Sequence, residues 1–387
     1  MRWSESFHAV SLLLFGLVVV TAGPCSAAVA GPPIRTGLWV TQKVTEDAGA
    51  LDAFANGIRT NHELTGVCLH VAWKEIEAEP NKPDFGAIDR FVAVLRAAGM
   101  KYELCLKPGA DTPAFVYKEG AQPFETYIAN RYRANFGQTV VIPVPWDPIY
   151  ERNFSEIIAQ LGNRYANDPL CVSVVLTCAN FLSAEMHLPK SREDRAKWKA
   201  LGSYGEKLFE VYKKYTDEWA KAFPRQAISL HLSKVLDLPP GFCERVIDYG
   251  LSKYPARFSI QNCQLNGRRE DMGMMTYDLI MKYRDRAHHG FQSVASLAHG
   301  GARMGSVEMA VLNVIHAGGE YWELWHGDGL SPETSALVAR TWEEGKRLGY
   351  EAYKKKLIAE GKYPENGDDQ YRGRKRRRDG VGQTSLQ

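Results

Sequence analysis

Short apolar runs recur along this chain, each followed by a stretch in which apolar positions return at helical spacing. The runs fall at 37–42, 66–72, 102–106, 172–177, 227–232, 258–262, 290–294 and 321–325. Their length, flanking polar residues and β-branched or aromatic content predict strands. Helices are predicted at 48–60, 88–98, 150–165, 204–223, after Pro240, and at 277–283, 306–316 and 332–348. Pro240 suits a first helical turn, where its missing N–H costs nothing. An irregular excursion separates the third strand from Pro148, and a polar insertion spans 190–201. Strands alternating with helices imply parallel pairing through crossovers. Eight such units predict a (β/α)8 TIM barrel, one domain with loop insertions over residues 31–362, in a fold that needs about 250 residues. The competing doubly wound sheet would open with a glycine-rich turn. The glycines at 300–305 lack the lysine and hydroxyl residue of a phosphate loop.

The two ends of the chain read differently from the middle. Residues 9–22 are apolar, Arg2 precedes them, and small residues around Ala27 and Ala30 follow. That pattern predicts a signal peptide over 1–30 and an exported protein, periplasmic or extracellular. No second long apolar run follows, so no integral membrane segment is expected after its removal. The chain carries seven cysteines. Cys25 leaves with the signal, and the other six have neither disulfide-scaffold nor zinc-knuckle spacing. Buried thiols are expected. Arg372, Arg374, Lys375, Arg376, Arg377 and Arg378 crowd a tail at 363–387; setting those six charges aside takes the net charge from +3 to −3. The body is mildly acidic and implies no nucleic-acid partner, and the tail reads as disordered.

Barrel enzymes place their chemistry where strands end. Glu185 follows the fourth predicted strand and Glu323 lies in the eighth, between Trp322 and Trp325. Paired carboxyls lined by aromatic rings suit cleavage of a glycosidic bond. Alternation sets Glu323 on one face with Tyr321 and Trp325. Phe181, Leu182, Met186 and Leu188 give Glu185 an apolar setting, which favours the protonated form a proton donor needs. A buried acid paired with a lysine or arginine is the other reading of Glu323, and an exposed loop acid that of Glu185. Gln261, Asn262 and Gln292 offer the paired donors and acceptors that bind sugar diols. Asn180 and His187 stand in the same loop as Glu185. Trp73, Trp146 and Trp325 are candidates for stacking on a sugar face. No HExxH, CxxC or carboxylate cluster with ligand spacing occurs, so neither a catalytic metal nor a cofactor is predicted.

The segments Trp73-Lys-Glu-Ile-Glu-Ala-Glu-Pro80, Asp84-Phe-Gly-Ala-Ile-Asp-Arg-Phe91, Lys107-Pro-Gly-Ala-Asp-Thr-Pro-Ala-Phe-Val-Tyr117 and Val144-Pro-Trp-Asp-Pro148 form a continuous signature. It resembles the second and third barrel units of clan A glycoside hydrolases, particularly the beta-galactosidase-like barrels of family 42. The resemblance rests on motif from Trp73 to Pro148 and on architecture beyond. It implies a glycosidase acting on a poly- or oligosaccharide, with an acid/base at the fourth strand end and a nucleophile at the seventh. The family sets its acid directly after an asparagine, whereas Ala184 precedes Glu185 here and the asparagine is Asn180. The seventh strand carries Gln292 and no carboxylate, which leaves Glu323 as the second carboxyl. An amide cannot form a glycosyl ester. The alternatives are a carbohydrate-binding barrel that has lost its seventh-strand nucleophile, and a cell-envelope interaction protein using its basic tail.

Overall fold

The computed structural model describes residues 34–129, 135–299 and 301–364. The expected signal peptide and all of the basic tail beyond residue 364 lie outside the described residues. The strands are β1 (Gly37–Lys43), β2 (Leu64–Ala72), β3 (Lys101–Lys107), β4 (Pro123–Tyr127), β5 (Thr139–Pro143), β6 (Cys171–Val175), β7 (Ala227–Leu232), β8 (Phe258–Leu265), β9 (His288–Ser293) and β10 (Tyr321–Leu324). Eight of them close a barrel in the order β1, β2, β3, β6, β7, β8, β9, β10, and β10 returns to β1. Every neighbouring pair is parallel, and at the closure Trp39 lies opposite Glu323. Parallel neighbours need crossovers, and helices supply them, so the fold is a (β/α)8 barrel.

Three parts of the chain hold more structure than its pattern predicts. The excursion after β3 contains an antiparallel hairpin of β4 and β5. The polar insertion contains the helix Arg192–Ala200, whose Ser191 and Asp194 bond reciprocally across the first turn. A further helix, Tyr350–Ala359, follows the expected closing helix Pro332–Leu348. No helix among the described residues is long and apolar enough to cross a membrane.

Alternation along the strands sorts side chains onto two faces. Val40, Leu69, Leu104, Val174, Leu230, Ile260, Phe291 and Trp322 face outward and join the helices in one apolar cluster. The inward set is unusual. Barrels of this kind are generally filled by branched aliphatic residues, yet here Trp39, Cys68, Glu103, Cys105, Ser173, Gln261 and Glu323 take those positions, all of them buried. Buried charges need partners, and Arg35 provides one. It enters from the end where the strands begin. Its guanidinium donates to Glu103 at 2.6 Å, to Glu323 at 2.6 Å and to Gln261 at 3.0 Å. The rings of Tyr321 and Trp39 flank it, at 3.9 and 4.6 Å from their centroids.

Room for those rings comes from glycines on neighbouring strands. A Cβ on Gly66 would stand 2.5 Å from the Trp39 ring, and one on Gly290 2.5 Å from the Tyr321 ring. Gly66→Ala is expected to overpack the interior and lower unfolding stability by about 1–3 kcal/mol. Urea denaturation measures it, and a smaller ring from Trp39→Phe in the same chain should recover part of the loss.

Candidate active site

The strand ends are covered by the loop that follows β6, residues 178–190. Backbone groups fix its shape. Asn180 accepts from the Cys178 N–H at 2.7 Å and donates to the carbonyls of Ala184 and Glu185 at 2.9 and 2.7 Å. Tyr150 donates to the Cys178 carbonyl, and Met186 N–H to the His231 carbonyl on β7. This folding carries Ala184 down onto Cys68, Cys105 and Val175 inside the barrel. Glu185 is left half-buried at the mouth, with Ser183 donating to its carboxylate at 3.2 Å.

Gly109, in the loop after β3, lets this strap lie close. It has φ +69°, and a Cβ there would meet the carbonyl oxygens of Asn180 and Phe181 at 2.3 and 2.5 Å. Gly109→Ala is expected to lose about 1–2 kcal/mol from the left-handed backbone alone and to lift the 178–190 loop. Faster proteolytic cleavage within that loop, ahead of global unfolding, is the readout.

Glu323 lies deeper. It is wholly buried; one oxygen accepts from Arg35 and the other from Gln292 at 2.9 Å. Burial pushes its carboxyl up, to about 7, against the pull of Arg35. The acid paired with an arginine, one of its two sequence readings, is therefore what the interior contains. Glu185 and Glu323 both lie near enough to Cys263 to act on its charge. Burial raises the Cys263 thiol, and both carboxylates add to that rise. On β2, burial depresses the His70 imidazole to about 3, with Lys107 and Arg35 adding to the effect. Lys107 and Lys74 bind Asp111 at 3.1 and 2.9 Å and hold its carboxyl low despite burial.

The expected sugar-binding residues divide into two groups. Trp73 is fully buried, donates to Glu77 at 2.7 Å and packs on Tyr150 and Phe154, so its ring fills the core. Gln261 is committed to Arg35 and Tyr321. Asn262 faces outward to Thr276 and the Gln264 N–H. Asn180 shapes its own loop and Gln292 holds Glu323. These five have their polar groups engaged by the protein itself. Trp325 is 43 % exposed, its indole N–H fixed on the Ser293 carbonyl. Trp146 and His187 are partly buried. Sequence reasoning missed Arg35, which lies ahead of the first strand, and Glu103, which sits within the third. A run of inward-facing polar positions on β2, β3 and β8 was the available signal for a buried cation.

The (β/α)8 barrel can be set beside known families and folds. The family model for glycoside hydrolase family 42, described as beta-galactosidase, matches residues 59–222. The resemblance thus runs past Pro148 through β6 and takes in Glu185, while Glu323 lies outside it. The catalytic domain of beta-amylase from Paenibacillus polymyxa superposes with TM-score 0.52 at 12% identity, covering 80% of this chain and 98% of that one. The beta-galactosidase of the psychrophilic Marinomonas ef1 gives 0.53 at 11%, covering 81% and 60%. That of Rahnella sp. R3 gives 0.53 at 12%, covering 83% and 57%. The chain therefore spans about three-fifths of those two beta-galactosidases, and likeness at this identity speaks for the fold. Among curated protein sequences none matches. The family pattern over residues 59–222 is that of a glycoside hydrolase family, and the solved structures speak for the fold alone.

Proposed function

We propose that this protein is an exported hydrolase of O-glycosidic bonds in a poly- or oligosaccharide, with Glu185 as the group that protonates the leaving oxygen. The observation that carries this reading is the placement of Glu185. It is a half-buried carboxylate held at the barrel mouth on the loop after the fourth barrel strand, inside the segment that matches the family. A proton donor needs a setting that is apolar yet open to substrate, and a half-buried carboxyl on a strap of apolar residues has both. Trp325 and Trp146 are the rings for a pyranose face, and His187 a polar neighbour. Export rests on the apolar stretch at 9–22.

A second reading is favoured by one observation. Gln292 ends the seventh barrel strand, and Glu323 is committed to Arg35. A barrel so built binds carbohydrate without turning it over. Incubating the full chain with a panel of oligosaccharides separates the two. Reducing ends released by the wild type and lost in Glu185→Gln support hydrolysis. Saturable glycan binding with no release at any protein concentration supports the binding barrel.

A further inference from the structure

The interior of the barrel holds a second constellation that sugar chemistry does not use. Cys68 and His70 stand two residues apart on β2 and so point the same way, inward. Glu323 reaches the same space from β10, two strands along the barrel wall. The Sγ of Cys68, a ring nitrogen of His70 and a carboxylate oxygen of Glu323 all lie within 4.8 Å of one another. Two imidazole nitrogens here are orphans. The Nε2 atoms of His70 and His231 are closed off from solvent with no hydrogen-bond partner among the described residues. His231 is 2% exposed, and His70 and Arg35 both lie near enough to act on its charge. Buried polar atoms without partners are rare and ask for an explanation, an unseen ion among them.

We propose that the barrel interior binds a divalent cation, zinc by its donor set, through Cys68, His70 and Glu323. Thiolate, imidazole and carboxylate are the three ligand types of protein zinc sites, and three protein ligands leave a fourth position for water. Ligand atoms around tetrahedral zinc sit roughly 3.5 Å apart, so closing the triangle needs side-chain movement of about 1 Å. Charge favours the ion as well. Glu103 and Glu323 face the single guanidinium of Arg35, which leaves one negative charge over. Burial holds the Cys68 thiol protonated; a cation that displaces this proton gains a second negative charge, and a divalent ion cancels both. Arg35 and Gln292 occupy one lone pair on each oxygen of Glu323, and a carboxylate has about four. They would then orient the ligand rather than compete for it, as outer partners of metal ligands do. The site goes beyond the glycosidase reading and is tested without any sugar.

The full chain, stripped with a chelator, is reloaded with one equivalent of Co²⁺ or Zn²⁺ and desalted. One cation retained per chain is expected, and the cobalt form should show a thiolate-to-cobalt charge-transfer band. Cys68→Ser should abolish that band, and His70→Ala should weaken retention by more than about tenfold. Cys243→Ser, at a cysteine far from the interior, should leave both unchanged. The surface group Glu270, Asp271 and His316 also gathers donors but has no sulfur, so cobalt held there gives no such band. X-ray absorption on the zinc-loaded wild type needs no variant and should find sulfur as a ligand. No retained cation, an all-nitrogen-and-oxygen ligand shell, or a band that survives Cys68→Ser and vanishes in Cys105→Ser would each overturn the proposal.

Discussion

Arg35→Ala is expected to destabilise the metal-free protein by about 3–5 kcal/mol, the usual cost of removing one partner from a buried ion pair. Two carboxylates depend on this one guanidinium, each at 2.6 Å, and all three groups are shielded from water. Removing the cation leaves Glu103 and Glu323 facing each other in a low-dielectric interior. It also empties the slot between Trp39 and Tyr321. Against a typical net stability of about 5–15 kcal/mol, that is a large share. Arg35→Lys should recover little, because a point charge cannot span two carboxylates and an amide as the planar fork does. Replacing the network wholesale, with Met at 35 and Leu at 103 and 323, should cost much less than Arg35→Ala. Unfolding in urea with chelator present measures all three chains. An Arg35→Ala protein within about 1 kcal/mol of wild type would mean that water reaches the network and solvates its charges.

The barrel was legible because each strand carries an outward face of Val, Leu, Ile or aromatic residues that must meet a helix. Those faces write an apolar run at nearly every turn of the topology. The hairpin β4–β5 left a weaker trace. Its five-residue strands carry only two buried residues each, and prolines at 123 and 143 argue against a strand. Helix Arg192–Ala200 buries little beyond Asp194 and Trp198, so no apolar stripe marks it. Its Ser191–Asp194 capping signal was nonetheless present to read. The predicted helix 332–348 does end at Gly349, with φ +75°, but the same residue begins the next helix.

The site was legible in one dimension and not in three. Period-two alternation set Glu323 on one face of its strand, and in the structure that face is the inward one. What it meets there depends on β1 closing against β10, which sets Arg35 beneath it from the opposite end of the chain. Pattern likewise cannot tell a strand-end tryptophan that lines a mouth from one that starts a helix. Trp73 does the second, and the helix Trp73–Ile76 turns its ring onto Tyr150 and Phe154. The metal ligands escape motif reading for the same reason. Two stand on one strand at a spacing that strands give to any inward pair, and the third arrives through closure of the ring.

Glu185→Gln is expected to slow hydrolysis of a natural oligosaccharide by about 10²–10⁴-fold, the range for loss of a positioned general acid. That corresponds to about 3–5 kcal/mol of transition-state stabilisation. Glutamine keeps the size and the hydrogen bond from Ser183 but has no proton to give, so KM should change little while kcat falls. The leaving group provides a sharper check. A sugar alkoxide is a strong base and needs protonation as the bond breaks, whereas a nitrophenolate leaves without it. The variant should therefore lose far more activity on the oligosaccharide than on a nitrophenyl glycoside of the same sugar. Equal losses on both, with weakened binding, would recast Glu185 as a substrate-holding group. Unchanged turnover on both would place the proton donor elsewhere than Glu185; the half-buried Asp111, bound to two lysines, is poorly suited to hold a proton.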